Sequence, residues 1–288
     1  QGAEALMANH RIYQYTSIGR PVEPGVPSVR AVLVLLPLAA VLGLVLALVD
    51  GQGMAQAFLQ ALYFALAVYG AWALARDLDP DDTLAAFISV AAALLAMSLV
   101  PTAGLLIVYV TLGLVRIVNR SSGLVARKSD SFIIMALSIW VIYATQSPFF
   151  GLVAALAFFM DGSLKEPLRH QWIFGMVCFG GVIVYMVDHD FSLAQMRIPA
   201  TLFEWISILF ILIFALDTLL LKRVRTRGDV TGLRLDVGRV RGGMTVGFLA
   251  AAQGVTQPEN VVIIVATLAG LCVGIALRKS FRVPARRR

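Results

Sequence analysis

The sequence predicts an all-α, polytopic integral membrane protein with about ten transmembrane helices and both ends in the cytoplasm. Three observations carry this reading: composition, recurring apolar runs, and the way basic residues alternate between the runs. Of 288 residues, 59% are hydrophobic and 14% charged, with a mean hydropathy of +0.83; soluble domains carry roughly 25% charged residues. Apolar runs occur at 31–49, 54–75, 83–100, 102–118, 131–146, 148–160, 172–187, 201–221, 243–256 and 260–277. An α-helix needs about 20 such residues to cross a hydrocarbon core of about 30 Å. The breaks are turn formers: DGQG, VPTAG, TQSP and TQPEN.

Residues 1–6, QGAEAL, precede Met7 and read as a cloning remnant, so 1–30 is a cytoplasmic N-terminal segment. The mixed composition before the first run argues against a cleavable signal peptide, and that run is expected to stay as an anchor. Residues 31–278 then form a single transmembrane domain with a basic cytoplasmic loop at 222–242, followed by a basic tail at 279–288. With the N-terminus inside, every lysine and arginine of the 24 except Arg197 falls on the cytoplasmic side. Cytoplasmic loops concentrate such residues, and a wrong count of crossings would scramble the alternation. The net charge of +7 follows from this topology. It calls for anionic membrane lipids as partners and for no nucleic acid. Alanine, leucine and arginine richness points to a bacterial inner membrane. The oligomeric state stays open.

Some elements fit less simply. Residues 148–160 span only about 20 Å as a helix, so 131–160 is either two crossings or a re-entrant hairpin with Pro148 at its tip. The tips ATQSPFF (144–150), GVTQPEN (254–260) and LVPTAG (99–104) look alike, as hairpin repeats would. Gly243 with Gly247 and Gly270 with Gly274 have small-xxx-small spacing and predict that helices nine and ten pack on each other. The stretch Leu233 to Val240 alternates apolar and charged residues, which predicts a short hairpin or interfacial strand. Cys178 and Cys272 lie in apolar runs and read as small buried hydrophobes.

Candidate chemistry sits mainly in WALARDLDPDDTLAAF, where Asp77, Asp79, Asp81 and Asp82 crowd a cytoplasmic turn. Magnesium binds through one or two carboxylates plus substrate phosphates, so Asp77, Asp79 and Asp81 are candidate ligands for Mg2+. Arg120, Arg127 and Asp161 in the next two inner loops could complete a phosphate site, because guanidinium forks match phosphate oxygens. The alternative is a solvated turn, with Asp81 and Asp82 at a helix N-terminus. On the other side, Asp188, His189 and Asp190 form a weaker metal candidate or an interfacial loop. Gln146, Gln253, Gln257 and Glu204 are candidates for a solute pathway. Glu204 and Asp217, thirteen residues apart, point roughly 220° apart around one helix, which argues against one central carboxylate pair.

The acidic inner loops resemble those of the intramembrane aromatic prenyltransferases of the UbiA type, whose acidic motifs follow the second and sixth helices on the cytoplasmic side. The resemblance covers loop positions in the first 170 residues and implies a lipid-phosphate transferase. The family's Asn-x-x-x-Asp-x-x-x-Asp spacing is absent, Asp161 and Glu166 stand without the second aspartate pair, and ten crossings are too many. Walker, dinucleotide, HExxH and Gly-x-Ser-x-Gly motifs are also absent. The favoured expectation is a permease for a small or amphipathic solute. Its alternatives are a membrane-embedded lipid-phosphate or prenyl-type transferase and a non-catalytic subunit of a membrane complex.

Overall fold

The computed structural model describes residues 12–100, 104–189, 201–255 and 260–281. Its described residues are helical, apart from loops and one isolated antiparallel bridge between Arg227 and Arg234. After a helical turn at Ile12–Tyr15 come ten helices: α1 Pro27–Val49, α2 Met54–Leu78, α3 Thr83–Leu99, α4 Leu105–Asn119, α5 Lys128–Ala144, α6 Pro148–Asp161, α7 Gln171–Asp188, α8 Leu202–Leu220, α9 Val237–Ala252 and α10 Val262–Phe281. Five of them, α1, α2, α7, α8 and α10, are long and apolar enough to cross a membrane.

Local chemistry sets the boundaries. Pro27 and Pro148 open α1 and α6, where a missing N–H costs nothing. Asp82 caps α3 by accepting from the Leu84 and Ala85 amides, and Asp236 caps α9 by accepting from Arg239 N. Thr201 and Glu204 form a reciprocal capping box on α8. Arg120 ends α4 in the left-handed region at φ 49°.

α4 is the axis of the bundle, buried along nearly its whole length. It packs against α2, α9, α6 and α5, while α1 lies on α2, α3 on α10, α7 on α6 and α5, and α8 on α10 and α9. The outward faces of α1, α7 and α8 expose Leu38, Val41, Ile173, Val184, Leu209 and Leu212. Apolar residues exposed in such rows belong against lipid or protein.

The ten helices alternate in direction. The N-terminal segment, the loops after α2, α4, α6 and α8, and the last turns of α10 interlock at one end, which holds the described arginines. Described residues flanking the α3–α4, α5–α6 and α9–α10 junctions meet at the opposite end. There Ser147 Oγ donates to Gln253 Oε1 at 2.7 Å, Asn260 Nδ2 donates to Thr145 O at 3.4 Å, and a Cβ on Gly104 would lie 1.9 Å from Asn260 O. The similar tips near 145 and 255 therefore touch. The Pro148 turn stands level with the α9–α10 junction.

Three expectations need correction. The glycine pairs do allow close approach, but to other partners. Gly270 and Gly274 seat α10 on the backbone of Ser89 and Ala85 in α3, whereas Gly243 and Gly247 seat α9 on Val115, Asn119 and Leu78. Small residues permit contact with whichever helix the bundle brings, not with the sequence neighbour. The alternating stretch forms its hairpin only around the Arg227–Arg234 bridge, since Asp236 caps α9 and makes Val237–Gly243 helical. Finally, α2 runs on to Leu78, so Asp77 is a helical residue and not part of the turn.

Candidate functional site

The basic end is built on two buried carboxylates. Asp77, in the last turn of α2 and 1% exposed, accepts from Arg20 Nη1 at 3.0 Å and Arg116 Nε at 2.7 Å, and its own carbonyl accepts from Asn119 Nδ2 at 2.8 Å. Asp161, fully buried at the end of α6, accepts from Arg120 Nη2 at 2.9 Å and Arg239 Nη1 at 2.7 Å. The same two guanidiniums hold the Val118, Lys165 and Glu166 carbonyls. Positive charge at helix C-termini offsets the dipole there and satisfies orphan carbonyls.

The remaining aspartates tie loops together. Asp81 accepts from the amides of Arg225 and Thr226 and from Thr226 Oγ1 (2.7 Å). Burial works to raise its pKa, but these donors outweigh it and hold the carboxyl below its ordinary value. Asp79 lies 3.1 Å from Arg278; burial nevertheless raises its pKa. Asp82 caps α3 and stands 3.6 Å from Arg278. Thus Asp77, Asp79 and Asp81 face three different partners instead of one centre. Among the described residues, no group of three His, Cys, Asp or Glu side chains is placed to hold a metal ion.

Arg127 joins neither carboxylate. It donates to the Gln14 and Tyr13 carbonyls, while Ser17 donates its amide and hydroxyl to Asp130 (2.6 and 2.5 Å). The N-terminal segment is thereby strapped to the α4–α5 loop.

Between this strap, the start of α1 and the end of α2 lies a cleft of about 320 Å³, at the small end of the range of ligand pockets. It is lined by Arg20, Arg76 and Arg116 together with the apolar or aromatic Val22, Val26, Val29, Tyr69, Trp72 and Ala73, with Glu23 and Asp229 among the remaining lining residues. Arg76 donates to Thr83 Oγ1 at 2.8 Å and, among the described residues, has no carboxylate in ion-pair range. Trp72 Nε1 is buried and, among the described residues, has no hydrogen-bond partner. The apolar wall continues along both helices. Leu33 lies one turn beyond Val29, and Leu66 and Leu62 lie beyond Tyr69, all exposed. A second basic-end cavity, about 500 Å³, lies around Asp79, Asp81, Asp217, Arg223, Arg278 and Lys279.

At the opposite end, a cavity of about 790 Å³ between α1, α2 and α3 is lined by Asp50, Gln52, Gln56, Gln60, Tyr63 and Ser98, among others. Of the pathway candidates, Gln253 is buried against Ser147, Gln146 is exposed at φ 52°, Glu204 caps α8, and Gln257 lies outside the described residues. His189 stacks on Tyr185 with centroids 4.2 Å apart and lies 3.4 Å from Asp188; Asp190 lies outside the described residues.

Sequence reasoning therefore found the acidic turn but missed Arg20, Arg76, Trp72 and Asp229. The basic ones among them counted only as topology markers, and nothing in the sequence brings residue 20 or 229 to residue 76. No protein-family model matches the chain, and no curated protein or solved structure matches it either.

Proposed function

We propose that this is a multi-pass protein of the cell membrane, a bacterial inner membrane by its composition, with ten crossings and its basic end in the cytoplasm. We infer that it binds a phosphate-bearing amphiphile in the arginine cleft. The observation that carries this reading is Arg76, a guanidinium that among the described residues has no ion pair and that shares an amphipathic cleft with two other arginines. Arginine forks suit phosphate oxygens, and the exposed apolar rows of α1 and α2 supply a track for acyl or prenyl chains. Asp77, paired with Arg20 and Arg116, serves as a strut beneath the site. A transferase acting on such a lipid remains the reading for any chemistry there, with no step assigned to Mg2+, since the three aspartates do not converge.

A permease has the cavity of the opposite end in its favour. That cavity uses the Gln56, Gln60 and Tyr63 side of α2, whereas the arginine cleft uses the Tyr69, Trp72 and Arg76 side. These sides are roughly 150° apart at about 100° per residue, so the two cavities do not form one continuous route along α2. One experiment separates the readings: retention of anionic lipid by purified protein, compared for wild type, Arg76→Gln and the exposed-loop control Arg234→Gln. A basic side chain near lipid phosphate is worth about 1 kcal/mol, so Arg76→Gln should weaken retention about fivefold and the control should leave it unchanged. Equal retention in all three would sink the lipid reading and leave the permease.

A further inference from the structure

The loop between α8 and α9 brings its own anion to the arginine cleft. Asp229, at the loop tip, accepts from Arg20 Nε at 2.6 Å and Nη2 at 2.8 Å, a bidentate pair of the kind guanidinium makes with a phosphate. The base of the loop is pinned by Asp81 to Arg225 and Thr226. Its tip is held by Val230 N donating to Ser122 O at 2.9 Å and by this ion pair, with Gly228 on one side and Gly232, at φ 64°, on the other. The Asp229 side chain is 36% exposed, so its carboxylate can swing off Arg20 freely, and movement of the tip beyond that lifts only the buried Val230. Arg20, Arg76 and Arg116 are matched by Asp77 beneath them and by Glu23 and Asp229 in the lining, leaving the closed cleft near neutral.

We propose that Asp229 is a built-in stand-in for the ligand, and that a phosphate monoester displaces it from Arg20 and releases the loop tip. This rests on the lipid-phosphate reading above and specifies its ligand class. A monoester carries roughly −1.5 to −2 charges near neutral pH, against about −1 for a diester, and so competes better with one carboxylate for Arg20. Loop position then reports occupancy on the cytoplasmic surface, where residues 227–234 present Arg227 and Arg234.

The test is limited trypsin digestion of the full-length protein in phosphatidylcholine nanodiscs doped with phosphatidic acid, a monoester, or phosphatidylglycerol, a diester. Cleavage after Arg227 and Arg234 should be about tenfold faster with phosphatidic acid, the scale of one charge-assisted pair lost. Asp229→Asn should be cut fast in either lipid, and Asp229→Glu should restore slow cutting, which a merely unfolded loop would not do. Soluble glycerol phosphate distinguishes the source. Fast cutting with it alone assigns the cleft to a free monoester, and fast cutting only with phosphatidic acid assigns it to a lipid. Cutting that ignores the headgroup, while Arg76→Gln still weakens lipid retention, overturns the latch and leaves the site standing. Retention indifferent to Arg76→Gln removes both.

Discussion

Asp161 shows what the buried carboxylates do. It holds Arg120 and Arg239, which in turn hold the carbonyls of α4 and the α6–α7 loop. Removing one partner of a buried pair leaves the other charges uncompensated and costs about 3–5 kcal/mol. Asp161→Ala should therefore lower stability by that amount in thermal unfolding of the solubilised protein; a loss under 1 kcal/mol would mean that solvent reaches the site. The sequence showed these residues as candidates, but it grouped Asp161 and Arg120 around a phosphate. Partners separated by 41 and 78 positions carry no spacing signal, and a guanidinium fits a carboxylate as well as a phosphate. By contrast, the Asp82 cap was legible, because capping depends only on the next three residues.

At the scale of elements, the apolar runs located all ten helices, since helix formation in an apolar run is a local matter. Their ends were less legible where a charged residue is buried inside a helix, as Asp77 and Arg239 are. Packing partners were not legible. The glycines signalled close approach, yet only the bundle decides that Gly270 meets Ser89. A Cβ there would lie 2.3 Å from Ser89 Cα, whereas around Gly180 nothing lies within 4 Å. Gly270→Val should force α3 and α10 apart and cost at least about 1–3 kcal/mol, as overpacking does. Gly180→Ala should be neutral or add up to about 1 kcal/mol from helix propensity. The pair can be read by the same unfolding assay, and equal effects would show that α10 does not sit on α3.

At the scale of the molecule, the distribution of basic residues anticipated which junctions share an end, although the charges themselves are largely paired there. The orientation has a direct test. A cysteine placed at Gly51 should react with a membrane-impermeant maleimide in intact cells, and one at Arg234 only after the membrane is opened; the native Cys178 and Cys272 are buried and should stay silent. Reversed labelling would invert the topology and put the arginine cleft outside. The lacing of the basic end also dictates an order of biogenesis. Arg239 arrives only with the ninth helix, so a nascent chain holding the first eight has Asp161 bridged by Arg120 alone, and the Val118 carbonyl lacks its guanidinium donor. The α2–α3 turn likewise waits for residues 225 and 226 to reach Asp81. Until that last quarter of the chain is made, the basic ends of the early helices stay unlocked, and quality-control proteases should find ribosome-released fragments far easier to degrade than the finished protein.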